Sequence, residues 1–152
     1  MKKKFAALTA AVMTFAVASV GSAYVDDSAI ALGDIAPGSS LAAVKAKYPD
    51  MRQIDDDSFA LANGFVIDVD EKNPDVIEEV KVYSSASGIE TPAGIGVGSS
   101  AFALNDAYGK ADKIEKDRYD TEYIYYNSTR TKKLEFKVID GVIRKIICEL
   151  RN

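Results

Sequence analysis

Two serine pairs, Ser39-Ser40 and Ser99-Ser100, each follow a glycine and precede an apolar stretch, a place where a nucleophile attracts notice. A serine hydroxyl attacks only when a neighbouring base removes its proton, and histidine is the usual base. The chain has no histidine, which excludes a Ser-His-acid triad and every His-ligated metal site. The serines read instead as helix caps, whose hydroxyls accept from free N–H groups and stabilise a helix start by about 1 kcal/mol. Asp68, Asp70 and Glu79 have the first, third and twelfth spacing of a calcium loop, but Lys72 takes a ligand position and no glycine takes the sixth. Strand-like residues flank that run. The acids, like Asp55-Asp56-Asp57, therefore read as solvated carboxylates. Cys148 is the single cysteine and shares a strand face with Ile146 and Leu150, the setting of a small buried apolar residue. No residue takes a catalytic role, and no cofactor or metal is implied.

Aromatic surface is the remaining chemistry. Tyr119, Tyr123 and Tyr125 share one face of an alternating segment, while Tyr126 shares the other with Ile124. One face must pack inward. The other then offers the aromatic area that is enriched at binding hot spots. Tyr119, Tyr123, Tyr125 and Tyr126 are the candidate binding residues.

The elements that position these residues come from a repeat. Ile35-Ala-Pro-Gly-Ser-Ser-Leu-Ala-Ala-Val-Lys-Ala-Lys-Tyr48 recurs sixty residues on as Ile95-Gly-Val-Gly-Ser-Ser-Ala-Phe-Ala-Leu-Asn-Asp-Ala-Tyr108. A fixed offset means one supersecondary unit used twice. In each copy the serine caps a short helix with an apolar stripe, Leu41, Val44 and Tyr48 or Ala101, Leu104 and Tyr108, ended by Pro49 or Gly109. Three strands follow each helix, with hairpins at Asn63-Gly64 and Asp140-Gly141. The expected fold is α+β: two tandem helix-strand-strand-strand repeats, over 31–86 and 91–152, forming an antiparallel sheet with short helices on one face. A run of small residues, 84–94, reads as a flexible linker between them.

The first 23 residues stand apart. Lys2-Lys3-Lys4, an apolar run from Phe5 to Val20 and Gly21-Ser22-Ala23 have the three-part pattern of a secretory signal peptide cleaved after Ala23. Without the leader's three lysines, 16 basic residues face 23 acidic ones, a net charge of −7. Such a domain is a poor match for nucleic acid or an anionic membrane surface. One cysteine permits no internal disulfide, so stability must come from burial, which a chain of this length can supply. The protein is expected to be exported, to periplasm or medium, without stable membrane insertion.

Gly38-Ser39-Ser40 with Val44, Gly98-Ser99-Ser100 with Leu104, Tyr108-Gly109-Lys110-Ala111-Asp112 and the closing hairpin Leu134–Ile147 resemble one superfamily. It contains the β-lactamase inhibitor protein and the BamE (SmpA/OmlA) envelope lipoproteins. The resemblance implies protein–protein binding without catalysis, on a sheet face or edge loops. The expected function is an exported, non-enzymatic protein-binding module. The alternatives are an inhibitor of an extracellular enzyme, such as a β-lactamase or protease, and a small-ligand binder using the cleft between repeats.

Overall fold

The computed structural model describes residues 24–152, so the leader assigned to residues 1–23 lies outside the described residues. In chain order the elements are α1 (Leu41–Lys47), β1 (Arg52–Gln53), β2 (Ser58–Ala62), β3 (Phe65–Val69) and β4 (Ile77–Val82). Then come α2 (Ala103–Tyr108), β5 (Lys113–Lys116), β6 (Thr121–Tyr126), β7 (Lys132–Ile139) and β8 (Val142–Leu150). All eight strands join one antiparallel sheet in the order β1-β2-β3-β4-β8-β7-β6-β5. No helix among the described residues is long and apolar enough to cross a membrane.

This architecture corrects the α+β expectation: the molecule is dominated by its sheet. The helices have only seven and six residues, below the length at which a helix holds its own shape. Ala101 and Phe102, expected to open the second helix, form a turn instead, and Asn105 and Asp106 are poor helix formers. Irregular chain does much of the covering: Val25, Ile30, Leu32, Ile35 and Ile95 are buried in the same core as Leu41, Val44, Leu104 and Tyr108. Each half also carries a strand unforeseen in the sequence, β1 and β5, both formed of exposed residues without an apolar alternation. The supposed linker is structured too, since the Thr91 N–H donates to the Ile95 carbonyl and Gly33 N–H to the Glu90 carbonyl, each at 2.8 Å.

The halves match in backbone detail. Gly38 N–H donates to the Ile77 carbonyl at 2.7 Å and Ile77 N–H to the Ser39 carbonyl at 2.9 Å; Gly98, Ile143 and Ser99 repeat this at 2.8 and 2.9 Å. The Gly-Ser-Ser segment thus staples each helix start to the last strand of its own half. Gly38 and Gly98 have φ of 91° and 96°, a conformation that a side chain would strain. A bulge skips Glu78 between β3 and β4, and another skips Arg144 between β7 and β8. At the centre, Val80 faces Cys148 and Val82 faces Ile146, on either side of the Lys81–Ile147 pair. A half-turn about that pair exchanges β4 with β8, so the two halves meet through their last strands.

The sheet faces divide cleanly. Phe65, Ile67, Val80, Val82, Leu134, Phe136, Ile146 and Cys148 point into the core. The opposite face carries an ion-pair ladder, with Lys81 between Asp68 and Glu79, Lys133 between Glu135 and Glu149 (2.9 Å each), and Lys137 near Asp120 and Glu122. Burial works against the Lys133 charge, but hydrogen bonds to Glu149 and Glu135 outweigh it and hold its pKa above the ordinary value. Asp68 lies directly opposite Glu79, and Glu79 opposite Glu149, so the lysines among them offset a carboxylate repulsion that would otherwise weaken the pairing.

Candidate functional site

Each half ends in three neighbouring turns: the helix start, the connection between its first two strands, and the entry to its last strand. Equivalent backbones carry different side chains there, more acids in the first half and exposed aromatics in the second. In the first half these turns hold Asp55, Asp56, Asp57, Asp70, Glu71 and Asp75. Protein groups already engage several of them. Asp75 accepts from the Ser40 hydroxyl at 3.2 Å and the Ala42 N–H at 3.3 Å, and so caps α1 from a distant turn. Asp70 accepts from the Lys72 and Asn73 N–H groups at 2.8 Å each. Asp68 and Glu79 share Lys81, so the calcium-like spacing belongs to an ion pair and a turn. Glu78 has its pKa raised by burial and then by Asp70, Glu149, Glu71 and Glu79, a sign of crowded negative charge.

The second half presents aromatic groups at the same place, beside Asp117, Arg118, Asp120 and Asp140, whereas the first half's turns expose one large apolar residue, Ile54. Phe102 is 91% exposed, Tyr119 74% and Ile139 36%. Phe102 lies in the turn that the Ala101 N–H ties to the Gly141 carbonyl at 2.9 Å, which places it beside the β7–β8 hairpin. Tyr119 sits in the β5–β6 turn at the same end, because Thr121 pairs with Val138 and Ile139 with Val142. That turn is held rigid: Asp117 accepts from the Tyr119 and Asp120 N–H groups at 2.6 and 2.9 Å, bonds that also lower its carboxyl pKa. The Arg118 guanidinium lies 5.6 Å from the Tyr119 ring centre. In the repeat, Phe102 stands where the first copy has Ala42. A large aromatic off the apolar stripe was a legible signal, and the sequence reading passed over it.

The four candidate tyrosines do not form one surface. Tyr119 precedes β6 and belongs to a turn, so strand alternation never governs it. Tyr125 is 1% exposed, with its ring centre 5.3 Å from Tyr108 and 6.0 Å from Phe136, and burial pushes its pKa up to about 12. Tyr123 is half-buried against the same core. Tyr126 is on the opposite face, with the Arg130 and Arg151 guanidinium groups 4.8 and 4.7 Å from its ring centre. Only Tyr119 contributes to the exposed end.

The serines act locally. Ser40 Oγ accepts from the Ala43 N–H at 3.4 Å and caps α1. Ser100 Oγ accepts from the Phe102 N–H at 3.3 Å, but α2 begins later at Ala103 with no side-chain cap, which corrects the expected second cap. Cys148 is fully buried, and burial pushes its thiol pKa well up. A shallow groove of about 320 Å³ lies beside the second helix start, lined by Ser85, Ile89, Glu90, Val97, Ser99 and glycine backbone. Glu90 is its one ionisable side chain, and Ser99 Oγ already accepts from the Gly96 N–H at 3.2 Å.

No protein-family model and no curated protein matches the chain. Among solved structures it is similar to the crystal structure of a DUF4309 family protein, YjgB, from Bacillus subtilis subsp. subtilis strain 168. That pair shares 13% identity at a TM-score of 0.47, over 74% of this chain and 78% of the other.

Proposed function

We propose that the protein is an exported, non-enzymatic protein-binding module whose partner docks on the turn end of the second half. One observation carries this reading: Phe102 is 91% exposed at the helix start where the other copy has Ala42. Exposing a phenylalanine serves neither the core nor solubility, and a partner that covers it recovers the burial. Tyr119 adds a second aromatic on a turn fixed by Asp117, so little ordering cost opposes binding. The resemblance to inhibitor and envelope-lipoprotein domains, and the lack of histidine, favour recognition over catalysis. The basic and apolar leader favours export.

The test is affinity capture from the source organism's envelope and medium, with wild type beside a Phe102→Ser, Tyr119→Ser double variant. The variant is expected to keep the wild-type melting midpoint and to lose the partner. Equal recovery of the same partner by both proteins would falsify the assignment.

A further inference from the structure

The two sheet edges are unequal. β1 closes one side with two residues, whereas β5 closes the other with four, all exposed. Asp117 N–H donates to the Asp120 carbonyl at 3.0 Å, so Asp117 faces β6. Backbone direction alternates along an antiparallel strand. Lys113 and Glu115 therefore also direct their N–H and C=O groups to β6, while those of Ile114 and Lys116 point away from the sheet. Among the described residues no strand takes them, since β5 pairs with β6 alone. Ile114, the central apolar residue of this edge, is 49% exposed and lies opposite the half-buried Tyr123.

We propose that β5 is a self-association edge, which pairs antiparallel with β5 of a second copy about a two-fold axis at Ile114. The proposal is independent of the binding end described above. Its register follows from charge. Centred on Ile114, the pairing sets Lys113 opposite the second copy's Glu115, and Glu115 opposite its Lys113. Glu115 already meets the Lys113 ammonium of its own strand, and a second copy's Lys113 opposite it would extend that pair into an alternating cluster. Centring on Lys113 or on Glu115 instead opposes like charges at the axis, which destabilises a pair. Centring between Ile114 and Glu115 opposes Lys113 to a second Lys116 and turns Ile114 away from its mate. The Ile114-centred register also joins the outward N–H and C=O groups of the two Ile114 residues as a reciprocal hydrogen-bonded pair. Lysines on an edge usually discourage pairing, and here the edge charges favour the Ile114-centred register over these alternatives. A contact so short belongs with weak, reversible interfaces.

Sedimentation of the purified protein over a wide concentration range tests this, with Lys113→Glu and Glu115→Lys as single variants. Wild type is expected to show a concentration-dependent dimer. Each variant alone opposes like charges twice and should associate about tenfold or more weakly. An equal mixture of the two variants restores opposite charges at both positions and should dimerise like wild type. Ile114→Pro removes only an outward N–H, a substitution that an edge tolerates, and should leave a folded monomer. Wild type that stays monomeric throughout, single variants that dimerise like wild type, or a mixture that gains nothing each overturn the proposal. A folded Ile114→Pro protein that still dimerises does so too.

Discussion

The two halves of this sheet share a backbone and divide over what they place on it. Ala42 in one is Phe102 in the other; Asp55-Asp56-Asp57 in one turn corresponds to a turn carrying Tyr119 in the other. The helix-ending tyrosines divide in the same way. Tyr48 donates to Asp34 at 3.0 Å on the surface, where Asp34 also pairs with Lys47 at 2.6 Å. Tyr108 donates to Thr91 at 2.6 Å inside the core. Where the copies agree, as in the glycine staples and the two bulges, the residues serve the fold. Where they differ at exposed turns, no demand of folding explains the choice, and the proposed docking end accounts for it.

The largest predicted contrast lies under α2. Tyr125 packs on Tyr108 and Phe136, while the corresponding Leu61 of the first half lies at a bulge and is only half-buried. Tyr125→Ala should cost about 3–5 kcal/mol, the range for removing a buried aromatic, and Leu61→Ala about 1–2 kcal/mol, below the fully buried range. Denaturant titration of both variants measures the difference; equal losses would remove the asymmetry between the halves.

The helix-ending tyrosines come next. Tyr108→Phe removes a buried hydrogen bond and should cost about 1–2 kcal/mol, whereas Tyr48→Phe should cost a few tenths at most (~0.3 kcal/mol). The pH dependence follows the same residues. Burial, foremost among the causes, pushes Tyr108 and Tyr125 up to about 12. Unfolded tyrosine ionises near about 10, so this stability is complete below that pH and is lost as pH rises toward about 12. Melting midpoints followed from neutral pH upward should fall in that window, and fall less steeply in Tyr108→Phe. A flat profile there would contradict the buried placement of the two phenols.

The smallest effect tests the symmetry at the centre. Cys148 occupies the place that Val82 occupies in the other half, opposite Val80 as Val82 is opposite Ile146. Cys148→Val should shift stability by less than about 1 kcal/mol, because it fills the site with its own structural counterpart. A large loss would mean that the thiol has a role beyond packing.

Much of this frame was legible in the sequence. The sixty-residue offset located the first helix start and put the second two residues early, and the alternation of Leu134, Phe136 and Val138 located a core strand. What was not legible depended on tertiary partners. Arg52-Gln53 and Lys113–Lys116 have no apolar alternation and become strands only because a neighbour's edge receives them. The acids at 68–79 read as solvated carboxylates, whereas Asp68 and Glu79 hold Lys81 and Asp75 holds Ser40, partners that only the folded sheet brings to them. The tyrosine cluster looked continuous because position 119 was counted into the strand, which starts at Thr121. Phe102 was visible throughout as an aromatic off the stripe.

The central claim is that the exposed end of the second half binds a partner and its acidic counterpart does not. Photo-crosslinking from structurally equivalent positions tests it most directly, with the reactive group placed at position 102 in one protein and at position 42 in another. The account predicts a specific crosslinked partner from position 102 and none from position 42. Capture of the same partner from position 42 alone, or equally from both, would contradict it.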